Sequence, residues 1–273
     1  MLLTVDVGNT NLALGVFEGA GAEAELVQDW RMRTDPRVTS DEIALTIRGM
    51  LGRRVEQITG VSALSTVPTV LRELRMMLAR YWADVPQVVV APGVRTGVPL
   101  LVDNPKEVGT DRVMNALAAH TIFQCPCIVV DFGTSTRVDV VTAAGEFLGG
   151  AIAPGIDISV DALASRGAAL RKVELLRPRS VVGKSTVEAL QSGILFGFAG
   201  QVDGLVARVR RELAEFAGDD VAVVATGGLA PLIIDECESI TDHEPDLTLT
   251  GLRLVYERNQ AGTRAGRRHS GQS

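Results

Sequence analysis

Two short stretches of this chain end an apolar run in an acid and follow it with a tight polar turn. The first is Leu2-Leu3-Thr4-Val5-Asp6-Val7-Gly8-Asn9-Thr10-Asn11, from which Leu12-Ala13-Leu14-Gly15-Val16-Phe17 leaves as a second apolar run. The second is Ile128-Val129-Val130-Asp131-Phe132-Gly133-Thr134, followed by Ser135-Thr136-Arg137-Val138-Asp139-Val140-Val141. Each reads as two strands joined by a turn, and Gly and Asn tolerate the positive φ that turns need. Turn chemistry does not explain an acid at the end of a buried strand. Such a carboxylate needs a partner, and a hydrated metal is a common one. Backbone N–H groups and hydroxyls in these turns can hold phosphates while the acids hold cations. One such turn is a weak signal. Two in matching settings point to a duplicated fold with a cleft between its halves, built for nucleotide phosphates.

Three further stretches carry residues that could do chemistry. Gly109-Thr110-Asp111-Arg112 offers a carboxylate beside a guanidinium, although the helix dipole favours an acid at any helix start. Gly227-Gly228 would let backbone approach a ligand closely, or would simply make a turn. Gly183-Lys184-Ser185, just before Thr186, echoes a Walker loop, but Pro178 stands where that loop needs its earlier Gly. Cys125-Pro126-Cys127 is too tight and isolated for a zinc site and reads as buried thiols at a strand start. His120 has no partner visible in the sequence and reads as structural.

The elements that must position these residues alternate between strand and helix, as in an α/β protein. After a third strand over Ala24–Met32, Thr39-Ser40-Asp41-Glu42 reads as a helix start. Ile43, Ile47, Met50 and Leu51 then recur at helical spacing and should face a core. Strands are expected over 58–65, 85–90, 147–155 and 221–228. Helices are expected over 70–82, 107–123 (with Val113, Leu117 and Ile122 apolar), 158–170 and 185–213, the last as one helix or two. A final helix follows Leu247, and the polar end of the chain is expected to be a disordered tail. A domain boundary is expected in or just after the 107–123 helix.

A length of 273 residues allows two cores, and with 46% hydrophobic but only 4% aromatic residues those cores must be aliphatic. A net charge of −6 argues against a nucleic-acid surface, which needs a basic stripe. Three cysteines give no disulfide framework and suit a reducing cytoplasm. The strand-like N-terminus is not a signal peptide, and no apolar run reaches the length of a membrane span.

The paired hairpins resemble those of the acetate and sugar kinase, Hsp70 and actin superfamily. Five motifs are similar, in order, to those of type III pantothenate kinases. They are Asp6-Val7-Gly8-Asn9-Thr10-Asn11, Asn104-Pro105-Lys106-Glu107-Val108-Gly109-Thr110-Asp111-Arg112, Asp131-Phe132-Gly133-Thr134, Gly149-Gly150-Ala151-Ile152-Ala153-Pro154-Gly155 and Ala225-Thr226-Gly227-Gly228. The likeness runs from Met1 to about Asn259. It implies two actin-like (ribonuclease H-like) domains with mixed sheets around a nucleotide cleft, at 1–118 and 119–258, with 259–273 as the tail.

By that resemblance the activity is ATP-dependent phosphorylation of pantothenate. Asp6, Val7, Gly8, Asn9, Thr10, Asn11, Leu12 and Ala13 bind ATP, with Asp6 aligning hydrated Mg²⁺. Thr134 meets nucleotide phosphate, Gly227 and Gly228 lie by the adenosine, and Asp131 holds K⁺ or NH₄⁺. Gly109, Thr110, Arg112 and Thr186 bind pantothenate, Arg112 clamping its carboxylate, and Asp111 is the general base. The resemblance also implies a homodimer through the 186–213 helix, completing the substrate pocket. A sugar kinase of the same superfamily and a non-catalytic regulatory relative are the alternatives. The chain departs from the family pattern twice. Arg137 stands where the family has Thr, and could bind phosphate or point to solvent, and Ser185 stands where the family has Asn.

Overall fold

The structure, a computed structural model, describes residues 1–91, 93–166, 173–217 and 220–269. Its contacts divide the chain into two units. One comprises Met1–Val98, Asp103–Ala118 and the chain from Leu247; the other comprises Pro99–Val102 and Ala119–Asp246.

In the first unit, β1 (Leu2–Val7), β2 (Asn11–Glu18) and β3 (Glu25–Arg33) form an antiparallel meander. After α1 (Ser40–Leu51), β4 (Gly60–Ser65) lies parallel to β1, and after α2 (Pro68–Tyr81), β5 (Gln87–Val89) lies parallel to β4. The sheet order is β3-β2-β1-β4-β5. Alternation along β1 sends Leu3, Val5 and Val7 into one cluster with Ile43 and Ile47 of α1 and Leu74 and Met77 of α2. Thr4 is also fully buried, and its hydroxyl donates to the Gly15 carbonyl at 3.1 Å. A capping box starts α1, with the Glu42 N–H donating to Thr39 Oγ1 and the Thr39 N–H to Glu42 Oε2. Those hydrogen bonds from Thr39 hold the Glu42 carboxyl below the usual range. Pro68 opens α2, where its fixed φ suits a first turn. Helix α3 (Thr110–Phe123) follows, and the boundary between the units falls within it.

The second unit repeats this plan. β6 (Cys127–Phe132), β7 (Ser135–Val141) and β8 (Phe147–Pro154) form a meander. Helices α4 (Ile156–Arg166) and α5 (Thr186–Ala217) lead to β9 (Ala222–Thr226), parallel to β6, and β10 (Asp242–His243), parallel to β9. The order β10-β9-β6-β7-β8 matches the first sheet strand for strand, in pairing sense as well as position. Ile128, Val130, Phe132, Val138, Val223 and Ala225 pack with Ile156 and Val160 of α4 and Ile194, Ala199 and Val202 of α5. Residues of the opposite parity on these strands, Asp131, Arg137, Asp139 and Thr226, therefore share the other face.

The final helix, α6 (Leu247–His269), does not stay with the second unit as the 119–258 division expected. Leu249, Leu252 and Val255 are buried in the first unit. Leu249 packs over Gly15 and Tyr256 over Gly60, where any side chain on the sheet would collide. Its helical span also takes in most of 259–273, read as a tail. Two residues expected in the core are instead on the surface, Met50 and Ile122, each 42% exposed. Met50 lies at the rim of an arc centred on Ile47, and Ile122 lies in the last turn of α3. The expected 185–213 segment is one continuous helix. Of the expected 158–170 helix, residues 167–170 lie outside the described residues.

Candidate functional site

The first hairpin closes when the Gly8 N–H donates to the Asn11 carbonyl at 2.9 Å. The carbonyls of Val7, Gly8 and Thr10 are held from neighbouring segments. Thr34, just past β3, donates its N–H to the Thr10 carbonyl at 2.9 Å and its hydroxyl to the Gly8 carbonyl at 2.8 Å. The Thr66 N–H donates to the Val7 carbonyl at 3.0 Å. Sequence reasoning missed both threonines, because single Thr residues in loops carry no pattern. With these carbonyls held, Asn9, Thr10 and Asn11 stay exposed, Leu12 is buried, and Ala13 stands opposite Asp6 in the β1–β2 register. Asp6 is half-buried one residue before the turn. Among the described residues no three His, Cys, Asp or Glu side chains gather as a metal cage. A carboxylate beside a phosphate-type turn suits Mg²⁺, which keeps waters and takes ligands from phosphates.

At the start of α3, the Val113 N–H donates to the Gly109 carbonyl at 3.3 Å. The Asp111 carboxylate folds back over Gly109, so closely that a Cβ there would lie 2.5 Å from Asp111 Oδ1. Gly109 thus makes room for the acid that follows it. The preceding turn, Pro105–Glu107, is fixed by the Asn104 amide donating to Glu107 Oε1 at 2.6 Å. Thr110, Asp111 and Arg112 are all half-buried.

In the second unit, Asp131, one residue before the end of β6, stands directly opposite Arg137 of β7, with Thr226 of β9 on its other side. Cross-strand partners share a face, and the Arg137 guanidinium forms an ion pair with Asp131 Oδ2. Oδ1 turns toward backbone, since a Cβ on Gly227 would stand 2.6 Å from it and one on Gly133 3.4 Å. Gly227 has a φ of +94°. Thr134, at the tip of the second hairpin, and Gly228 are exposed. Arg137, which the sequence alone leaves open between phosphate and solvent, is a partner for Asp131.

The monovalent cation expected at Asp131 does not fit this arrangement. One carboxylate oxygen is already held by a fixed guanidinium, and a second cation sharing it would meet that charge at short range. Thr186 is the exposed first residue of α5. Ser185 caps that helix, its hydroxyl accepting from the Glu188 N–H at 3.2 Å. Glu188 in turn pairs with Arg179 at 2.6 Å and accepts from the Lys184 N–H at 3.0 Å. The Arg179 partner, with the Lys184 hydrogen bond, holds its carboxyl below the usual range. The Cys127 thiol, pushed up to about 12 by burial, hydrogen-bonds to the Cys125 carbonyl at 3.3 Å. Such a thiol is protonated at neutral pH and is not a nucleophile there.

Each unit is thus a mixed five-stranded sheet with a strand–turn–strand hairpin whose first strand carries an acid just before the turn, the α/β architecture of the actin-like fold. Solved structures of similar fold include a Baf family transcriptional activator from Campylobacter jejuni (16% identical, TM-score 0.58, covering 95% of this chain and 99% of that one). Another is the activator of the 2-hydroxyisocaproyl-CoA dehydratase from Clostridium difficile with bound ADPNP (12% identical, TM-score 0.55, 97% of each chain). The family model for type III pantothenate kinase matches residues 2–208. Type III pantothenate kinases of Rhodococcus opacus (72% identical, 99% of each chain), Saccharopolyspora erythraea (67%, 95% and 99%) and Mycobacteroides abscessus (62%, 97% of each) are similar over nearly their whole length. The chain belongs to the type III pantothenate kinase family.

Proposed function

We propose that this chain transfers the γ-phosphoryl group of ATP to the primary hydroxyl of pantothenate, giving 4′-phosphopantothenate, the first step toward coenzyme A. The observation that carries the reading is 72% identity across 99% of a type III pantothenate kinase. Neither a sugar kinase nor a non-catalytic relative is favoured by it. In this reading the Gly8–Asn11 turn and Thr134 bind phosphates through backbone N–H and hydroxyl groups. Gly227 and Gly228 admit the adenosine. Asp6 orders the water around Mg²⁺, which, when bound, neutralises developing charge on the phosphates. Arg112 takes the pantothenate carboxylate in a bidentate grip. Asp111 accepts the proton of the attacking hydroxyl. Gly109, Thr110 and Thr186 complete the substrate contacts. A coupled ADP-release assay tests the whole: release should depend on pantothenate, and pantothenate-independent release, or release with a sugar in its place, sinks the proposal.

The setting is cytoplasmic in this reading, in keeping with three free cysteines. No helix among the described residues is long and apolar enough to cross a membrane. The chain is also read as a homodimer through α5. Gly193, Gly197 and Gly200 line one exposed stripe of that helix where, among the described residues and apart from the helix's own backbone, no atom lies within 4 Å of an added Cβ, and Val187 is 49% exposed near its start. A lone exposed stripe of glycines would weaken a helix by roughly 0.5–1 kcal/mol per residue, so close helix–helix approach is the better use of it. Sedimentation at micromolar concentration should show a dimer, and Gly197→Leu should shift it toward monomer. A parent protein that sediments as a monomer with full activity removes the dimer from the reading.

A further inference from the structure

We infer that Arg137 supplies, as a built-in part of the chain, the positive charge that a monovalent cation would otherwise bring to Asp131, so that this enzyme turns over without K⁺ or NH₄⁺. The inference rests on the proposed function, because it concerns the same phosphate-binding hairpin. Asp131 and Arg137 are paired directly across β6 and β7, so the sheet itself sets their separation. Both side chains are largely enclosed, 11% and 17% exposed, and the guanidinium hydrogen-bonds to Oδ2. Oδ1 faces the Gly133 and Gly227 backbones. Asp139, two residues beyond Arg137 on the same face, is 3% exposed and adds a second acid to the patch.

A carboxylate held at the foot of a phosphate turn repels an incoming polyanion strongly, because little water screens the pair. Some cation must offset that charge. A bound ion would do so at the cost of capturing it from solution, whereas the guanidinium is always charged and already in place. Its planar fork also suits a carboxylate better than a single ion does. A freely exchanging cation added to the same carboxylate would be repelled by the arginine. The departure of residue 137 from the family's Thr and the expected loss of the ion are therefore one change.

The test compares Mg²⁺–ADP binding by calorimetry, and turnover, in KCl, NH₄Cl and tetramethylammonium chloride at equal ionic strength. The parent enzyme should give affinities and rates within about twofold in all three salts. In tetramethylammonium chloride, Arg137→Thr should bind nucleotide at least about tenfold more weakly, and K⁺ should restore that binding. Arg137→Lys, which keeps a fixed charge, should stay insensitive to K⁺. Binding by the parent that tightens about tenfold on adding K⁺ overturns the inference while leaving the kinase reading intact. So does a folded Arg137→Thr that binds equally well in every salt. If the parent binds no nucleotide in any salt, the kinase reading falls and the inference falls with it. Should Arg137→Thr fail to fold, the parent and Arg137→Lys decide the matter between them.

Discussion

Asp111→Asn is expected to lower kcat by about 10²- to 10⁴-fold, or roughly 3–5 kcal/mol in barrier, while nucleotide affinity stays within about threefold. Pantothenate presents an alcohol whose proton must leave as its oxygen attacks phosphorus. Phosphoryl transfer is mostly positioning and charge stabilisation, yet some group must accept that proton. Asp111 sits in the first turn of α3, beside Arg112 and folded over Gly109. Asparagine has the same shape and so fits the same space above Gly109, which makes a folding defect a poor explanation for lost activity. It lacks basicity and charge, the two properties the proposal uses. The phosphate hairpins lie elsewhere in the chain, around Gly8 and Gly133, so calorimetry with Mg²⁺–ATP should scarcely change. Near-normal turnover by this variant would mean that another group accepts the proton, or that pantothenate is not the substrate.

Much of the fold was legible because it is written twice. The runs ending in Asp6 and Asp131 mark β1 and β6, and the two sheets built around them share one strand order. Short runs rich in apolar residues also marked β4, β7 and β9, most of whose residues are buried. What periodicity could not say is which surface an amphipathic helix chooses. The pattern Leu249, Leu252, Val255 defines a buried stripe, but only the space above Gly15 and Gly60 determines that it covers the first sheet. Likewise the acids at the strand ends were visible, and their partners were not. Arg137 looked like a phosphate ligand or a surface charge, because residues six apart in sequence meet only once the strands pair in register. Thr34 and Thr66 were silent for the same reason: each holds a hairpin carbonyl from a loop far along the chain.

Gly227→Ala should be among the most damaging single-methyl changes available in the second unit. The residue has a φ of +94°, a region L side chains rarely adopt, and a Cβ would stand 2.6 Å from both the Phe132 carbonyl oxygen and Asp131 Oδ1. Neither neighbour can move cheaply. The Phe132 carbonyl closes the end of the central strand by accepting from the Leu229 N–H at 3.2 Å, and Asp131 is held by Arg137. Left-handed backbone costs an alanine about 1–2 kcal/mol, and the collision brings the total to about 2–4 kcal/mol, within the range of strained or overpacked sites. Melting should fall by roughly 5–15 °C, taking roughly 2–4 °C per kcal/mol for a chain of this size. Nucleotide affinity should fall with it, because the displaced carboxylate and carbonyl border the phosphate turn. Gly49→Ala supplies the control. Gly49 lies in α1, exposed and with nothing near its missing Cβ, so the same methyl there should stabilise the protein by about 0.5–1 kcal/mol. If the two variants melted alike, the close approach of Gly227 to Asp131 would not be what requires glycine at that position.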